Sequence, residues 1–176
     1  AVIFSWENMW ALDNCQGYAN AGKGYYETCY AYHRVLWEMG IDCDVVSPNA
    51  DLSRYALVVA PMLYLTDRSI IDNLRRFVEN GGTLYGTYML GTVNETDLCW
   101  LGGIPAEELK EVFGITAQEI DTLYPGDTQQ VTLCGEKHEA VDYCEVLEPD
   151  GAQTLAVYAD GWMAGTPAVT VNRYGK

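Results

Sequence analysis

The chain has 176 residues and a mass of 19.6 kDa, enough for one compact unit with a sizeable core. Apolar residues make up 49% and charged residues 20%, a globular balance that excludes a disordered tail, a collagen or a coiled coil. A net charge of −15 and a pI near 4.2 offer no basic face for phosphates, which argues against nucleic acid and against an anionic membrane surface.

From the amino end, residues 2–5 read as a short buried strand, followed by a long loop over residues 6–24 that is rich in Trp, Tyr, Asn and Gly. Residues 25–39 carry Tyr26, Cys29, Tyr30, His33, Leu36 and Trp37 at helical spacing, which predicts a helix with one broad buried stripe, closed by Gly40. Residues 41–46 and 55–60 are strands, the second apolar throughout, as in a sheet covered on both faces. Thr66 is expected to cap a helix with the stripe Ile70, Ile71, Leu74, Phe77 and Val78, ended by Gly81-Gly82. Residues 83–88 form the next strand. Pro105 at a first helical position, Glu107 and Glu108, the Leu109/Val112/Phe113 stripe and Gly114 then predict a short helix.

Strands alternating with helices up to Gly114 predict a parallel, three-layer α/β sheet flanked by helices. Beyond it the helical stripes stop. Strand-like runs at 115–122, 130–133, 142–147, 154–158 and 168–171, separated by turn dipeptides, predict a C-terminal antiparallel β extension. The expectation is a single α/β domain over residues 1–176, with a βα core at 1–114 and a β-rich extension at 115–176. Charge divides unevenly: residues 1–88 hold 6 basic and 10 acidic side chains, residues 89–176 hold 4 and 15. The acidic excess reads as a solvated face, since no Asp-x-Asp-x-Asp-Gly loop is present to hold calcium.

Six cysteines stand at 15, 29, 43, 99, 134 and 144, with no Cys-x-x-Cys spacing. They read as reduced thiols, with Cys29 and Cys43 buried in a helix and a strand, and so suggest a cytoplasmic protein. No leader is visible, and the strand-like beginning and the stop at Tyr174-Gly175 suggest a piece of a longer protein.

Gly17 to Gly24 satisfies the first part of a phosphate-binding G-x-x-x-x-G-K pattern, but Gly24 replaces the hydroxyl that would hold Mg²⁺, so a flexible loop is expected instead. His33 reads as a core imidazole and His138 as an exposed residue of an acidic loop, so neither completes a catalytic set. The acid pairs Glu7 with Asp13 and Glu95 with Asp97 could flank a glycosidic bond, although among 25 acids such pairs arise by chance. Trp6, Trp10, Tyr18 and Tyr25 crowd the first loop, as aromatics do where they stack on sugars, anchor an interface or cover a core edge.

A doubly wound sheet binds at the carboxyl ends of its strands, represented here by the Trp6-Glu7-Asn8-Met9-Trp10, Pro61-Met62-Leu63-Tyr64 and Tyr88-Met89-Leu90-Gly91 segments. The Gly81-Gly82 spacing resembles that of the class I glutamine amidotransferase-like (flavodoxin-like) fold, and Met89 then stands in its nucleophile position. A thioether cannot attack a carbonyl.

Trp6-Glu7-x-x-Trp10, Asp44-Val45-Val46-Ser47-Pro48, Asp51-Leu52-x-x-Tyr55, Pro61-Met62-Leu63-Tyr64, Gly81-Gly82-Thr83, Gly91 with Glu95 and Asp97, Gly165-x-Pro167-Ala168 and Asn172-x-x-Gly175 occur in one order. Together they resemble the middle, trimerisation domain of family 42 glycoside hydrolases, which are β-galactosidases. The resemblance implies a domain without catalytic residues, cofactor or metal, which assembles a homotrimer beside the catalytic barrel of its own chain. The parent would be a retaining enzyme acting on terminal β-D-galactosides through a separate (β/α)₈ barrel. Trp6, Glu7, Trp10, Tyr64, Tyr88 and Glu95 are the expected interface or substrate contacts. A free-standing carbohydrate or small-molecule binding module is the alternative.

Overall fold

The computed structural model describes residues 1–17 and 22–175. Strands β1 (Val2–Ile3), β2 (Val45–Val46), β3 (Leu57–Ala60) and β4 (Thr83–Gly86) form a parallel sheet in the order β2-β1-β3-β4. Alternation along the strands sends successive side chains to opposite faces. Ile3, Val58 and Ala60 join one buried cluster, whereas Val2 and Val59 join another. Helices cover both faces, so each cluster is a separate core.

The first core belongs to α3 (Arg68–Glu79), which packs Ile70, Ile71, Leu74 and Phe77 against the sheet. Its cap is Asp67 rather than Thr66: the Asp67 carboxylate accepts from the Ile70 N–H at 2.8 Å. Thr66 is buried, and its hydroxyl instead accepts from Trp100 Nε1 at 3.1 Å. Helix α4 (Leu109–Phe113) adds Leu109 to this core. It is shorter than expected: Pro105 lies before it rather than at its first position, and Gly114 ends it in the left-handed region at φ 62°. A side chain at Gly114 would meet Asn172, whose amide donates to the Glu111 and Val112 carbonyls at 2.9 and 3.0 Å.

Two expectations fail on the other face. Residues expected in an aromatic loop form helix α1 (Trp6–Asn14), because Ser5 caps it, its hydroxyl accepting from the Asn8 N–H at 3.2 Å. Asn8, Ala11 and Leu12 then face inward at helical spacing. Helix α2 (Tyr25–Glu38) is present, but only Tyr25 and Cys29 are buried. Tyr26, Tyr30 and Trp37, expected in its buried stripe, are exposed at 59, 55 and 71%, and His33 is half-buried.

The extension is antiparallel. Strands β5 (Ile115–Thr122) and β8 (Tyr143–Pro149) form one ladder, and β6 (Gln129–Leu133), β7 (Glu136–Ala140), β9 (Gln153–Tyr158) and β10 (Pro167–Val171) form a second in the order β10-β9-β6-β7. His138 thus sits on an exposed strand, opposite Val131, and not in a loop. Cys144, Tyr158 and Met163 make a third, small core here. All six cysteines are free thiols, although Cys43 lies half-exposed just before β2 rather than within a strand. No helix is long and apolar enough to cross a membrane among the described residues.

Candidate functional site

The carboxyl ends of β1, β3 and β4 open into α1, residues 61–66 and residues 87–92, and buried polar atoms lace these segments together. Asn8 is fully buried; its Nδ2 donates to the Met62 carbonyl at 2.9 Å, and its Oδ1 accepts from the Leu65 N–H at 2.8 Å. The Met62 N–H donates to the Thr87 hydroxyl at 2.7 Å, and the Thr92 hydroxyl donates to the Met89 carbonyl at 2.9 Å. From the extension, Glu145 Oε1 accepts the Met89 N–H at 2.6 Å. Satisfied networks of this kind rigidify what they join.

Met62 and Met89 hold φ values of 41° and 63°, a left-handed conformation that costs on the order of 1–3 kcal/mol for a residue other than glycine. Both side chains are fully buried. The crest is therefore strained in the manner of a reactive site but filled by thioethers, which have no proton for a base to remove. A thiol nearby is no better. Burial pushes Cys29, which shares a core with Met62 and Met89, up to about 11, so it is not a thiolate at neutral pH; Cys144, raised by burial too, lies in the third core. Burial also pushes Glu145 up to about 7, opposed by its bond to the Met89 amide.

The remaining expected residues separate into two groups. Trp6 and Trp10 stand one turn apart on α1, exposed at 57 and 60%, with exposed Glu7 accepting from the Ser5 hydroxyl at 2.9 Å. Glu95 is exposed in a turn where Asn94 Oδ1 accepts from the Thr96 and Leu98 N–H groups at 2.9 and 3.2 Å. Tyr64, by contrast, is buried in the core under α1, and Tyr88 is half-buried with its ring 5.3 Å from that of Tyr143. These two tyrosines support the crest from beneath and present little surface. Tyr25 is buried too; its ring stacks on Phe4 at 5.3 Å and its hydroxyl accepts from the Ser5 N–H at 3.1 Å.

Glu7 and Asp13 lie six positions apart on α1, about 120° around its axis, and so do not converge as a catalytic pair. The G-x-x-x-x-G-K segment lies partly outside the described residues, as does Tyr18. Lys23 is buried, its ammonium donating to the Cys15 carbonyl at 2.5 Å. Among the described residues no three His, Cys, Asp or Glu side chains are grouped to hold a metal ion.

Sequence reasoning missed Asn8, Thr87 and Glu145. The Ser5-x-x-Asn8 spacing ahead of Ala11-Leu12 carried a helix-start signal that could have found the first. Glu145 had none, since its role depends on β8 reaching the end of β4.

This is an α/β scaffold with a sealed crest and an aromatic outer face. The chain belongs to the β-galactosidase trimerisation domain family, whose model matches residues 1–176. It is 43% identical to the β-galactosidase Pbg of Clostridium perfringens and 44% identical to BglY of Alicyclobacillus acidocaldarius, covering all of this chain and 26% of each relative. Its structure is similar to that of the β-galactosidase from Rahnella sp. R3, with a TM-score of 0.95 and 42% identity over 99% of this chain and 26% of that one. The chain thus spans about a quarter of the length of these relatives.

Proposed function

We propose that residues 1–176 are a single, non-catalytic domain of a longer β-galactosidase and hold three copies of that enzyme together. Catalysis belongs to a separate (β/α)₈ barrel acting on terminal β-D-galactosides, and the free thiols fit a cytoplasmic setting. The family match over the whole chain carries this reading. The buried thioether at the turn after β4 supports it: Met89 has the positive φ of a nucleophile elbow without a nucleophile, as in an amidotransferase-like scaffold that has lost its chemistry. Trp6, Glu7, Trp10 and Glu95 supply contacts to a neighbouring subunit, and Tyr64 and Tyr88 shape the surface from below.

Sedimentation of the parent protein, with hydrolysis of a nitrophenyl galactoside followed in parallel, tests the proposal. The parent should sediment as three copies and turn over substrate, and residues 1–176 alone should release no product. Turnover by residues 1–176, or a monomeric parent, overturns it. Saccharide binding by the isolated chain in calorimetry would favour a binding module instead.

A further inference from the structure

The exposed rings of α1 and α2 form one surface. Trp6 and Trp10 share a face of α1, and Tyr26, Tyr30 and Trp37, spaced by four and seven, share a face of α2. Phe4 joins the two faces, with its ring centroid 5.1 Å from that of Trp6 and 6.5 Å from that of Tyr26, both edge-on. At 55 to 71% exposure, and with large aromatics presenting up to about 250 Å² each, the five rings offer roughly 600–700 Å². The largest apolar patch on a monomer is about 300–600 Å², and one partner contributes about 800 Å² to a standard interface. The ridge alone nearly fills such a footprint.

Its surroundings define what it can meet. Exposed Glu7, Asp13, Glu27 and Glu38 flank the rings, against one exposed arginine, Arg34, which already lies 3.7 Å from Glu38. Two ridges face to face would bring these carboxylates together. A face-to-face match is also a two-fold contact, whereas a closed ring of three needs two different patches. Elsewhere on this chain Arg54, Arg68 and Arg75 are held by Asp44, by Glu107 and Glu108, and by Asp72 and Glu79, while exposed Arg76, Lys137 and Arg173 stand apart on α3, on β7 and after β10.

The geometry points to the α1–α2 aromatic ridge as the docking surface for a neighbouring copy of the parent chain, whose receiving surface is opposite in charge to the acidic rim. The inference rests on the assembly reading above and adds α2 to it: Tyr30 and Trp37 carry the contact, and the acidic rim selects its partner.

Sedimentation velocity on the parent protein tests it, with wild type, Tyr30→Ala/Trp37→Ala and Glu27→Lys/Glu38→Lys compared at 50 and 300 mM salt. Both double variants should dissociate at concentrations at least tenfold above wild type, the higher salt should weaken wild type, and the circular dichroism spectra of the variants should match wild type because the replaced side chains are exposed. A three-copy particle indifferent to both variants overturns the ridge while leaving the assembly reading intact. Tighter association of the lysine variant indicates ridge-to-ridge contact and also overturns it, as does lowered melting without dissociation, which indicates packing against the chain's own barrel. A wild-type parent that never associates defeats the assembly reading itself.

Discussion

Helix α3 turns Ile70, Ile71, Leu74 and Phe77 toward the sheet and leaves Arg68, Ser69 and Arg76 in water, whereas α1 and α2 turn five aromatic rings outward on the opposite side. On α3, Arg68 and Arg75 pair with neighbouring carboxylates, at the small gain usual for surface ion pairs. The outward rings, more than half exposed, gain much less from folding, because burial is what stabilises them. One layer closes the domain, and the other closes it only in part and leaves five large aromatic rings exposed.

The sharpest way to break this comparison is to truncate each layer. Leu74→Ala removes a fully buried side chain from α3 and should cost about 2–5 kcal/mol in chemical denaturation of the chain. The same treatment of the outward rings should be nearly silent, and a comparable loss there would erase the distinction.

Asn8→Ala should come next, at about 1–3 kcal/mol, because the Met62 carbonyl and the Leu65 N–H lose a buried partner. Denaturant midpoints measure it.

Glu145 tests how the extension is tied to the crest. Its carboxyl is raised from 4.5 to about 7 by folding, so the native state holds the proton more tightly than the unfolded one. Stability therefore declines as pH rises from about 4.5 through 7 and levels off above, the reverse of an ion-paired carboxylate. Glu145→Gln keeps an oxygen for the Met89 N–H but cannot ionise, so it should match wild type at pH 4 and exceed it at pH 8 by about 3 kcal/mol. Thermal melts across that range would show parallel curves if the carboxyl is unimportant.

Smallest of all in stability, Trp6→Ala/Trp10→Ala should change unfolding by no more than about 0.5 kcal/mol, as exposed positions do, while weakening association of the parent.

The parallel core was legible because strands and helices each bury a continuous face: the α3 stripe and the 55–60 run could be read from periodicity alone. On α2 the same signal misled. Apolar spacing marks one face of a helix without saying that the face is turned to the core, so exposed Tyr26, Tyr30 and Trp37 looked like interior residues. Helix α1 was missed because aromatic and Asn residues masked a Ser cap, and β7 because a strand reading Glu-Lys-His-Glu-Ala has no apolar alternation. At the crest, spacing singled out Met89, whose buried side chain and φ of 63° the structure describes, whereas Glu145 is brought to it only by tertiary structure.

The mass of the parent protein in solution tests the central claim most directly. Sedimentation equilibrium at micromolar concentration should give three copies for wild type and a shift toward single chains for Trp6→Ala/Trp10→Ala. A single-chain mass for wild type, or an unchanged three-copy mass for the variant, would contradict the role assigned to this outward aromatic face.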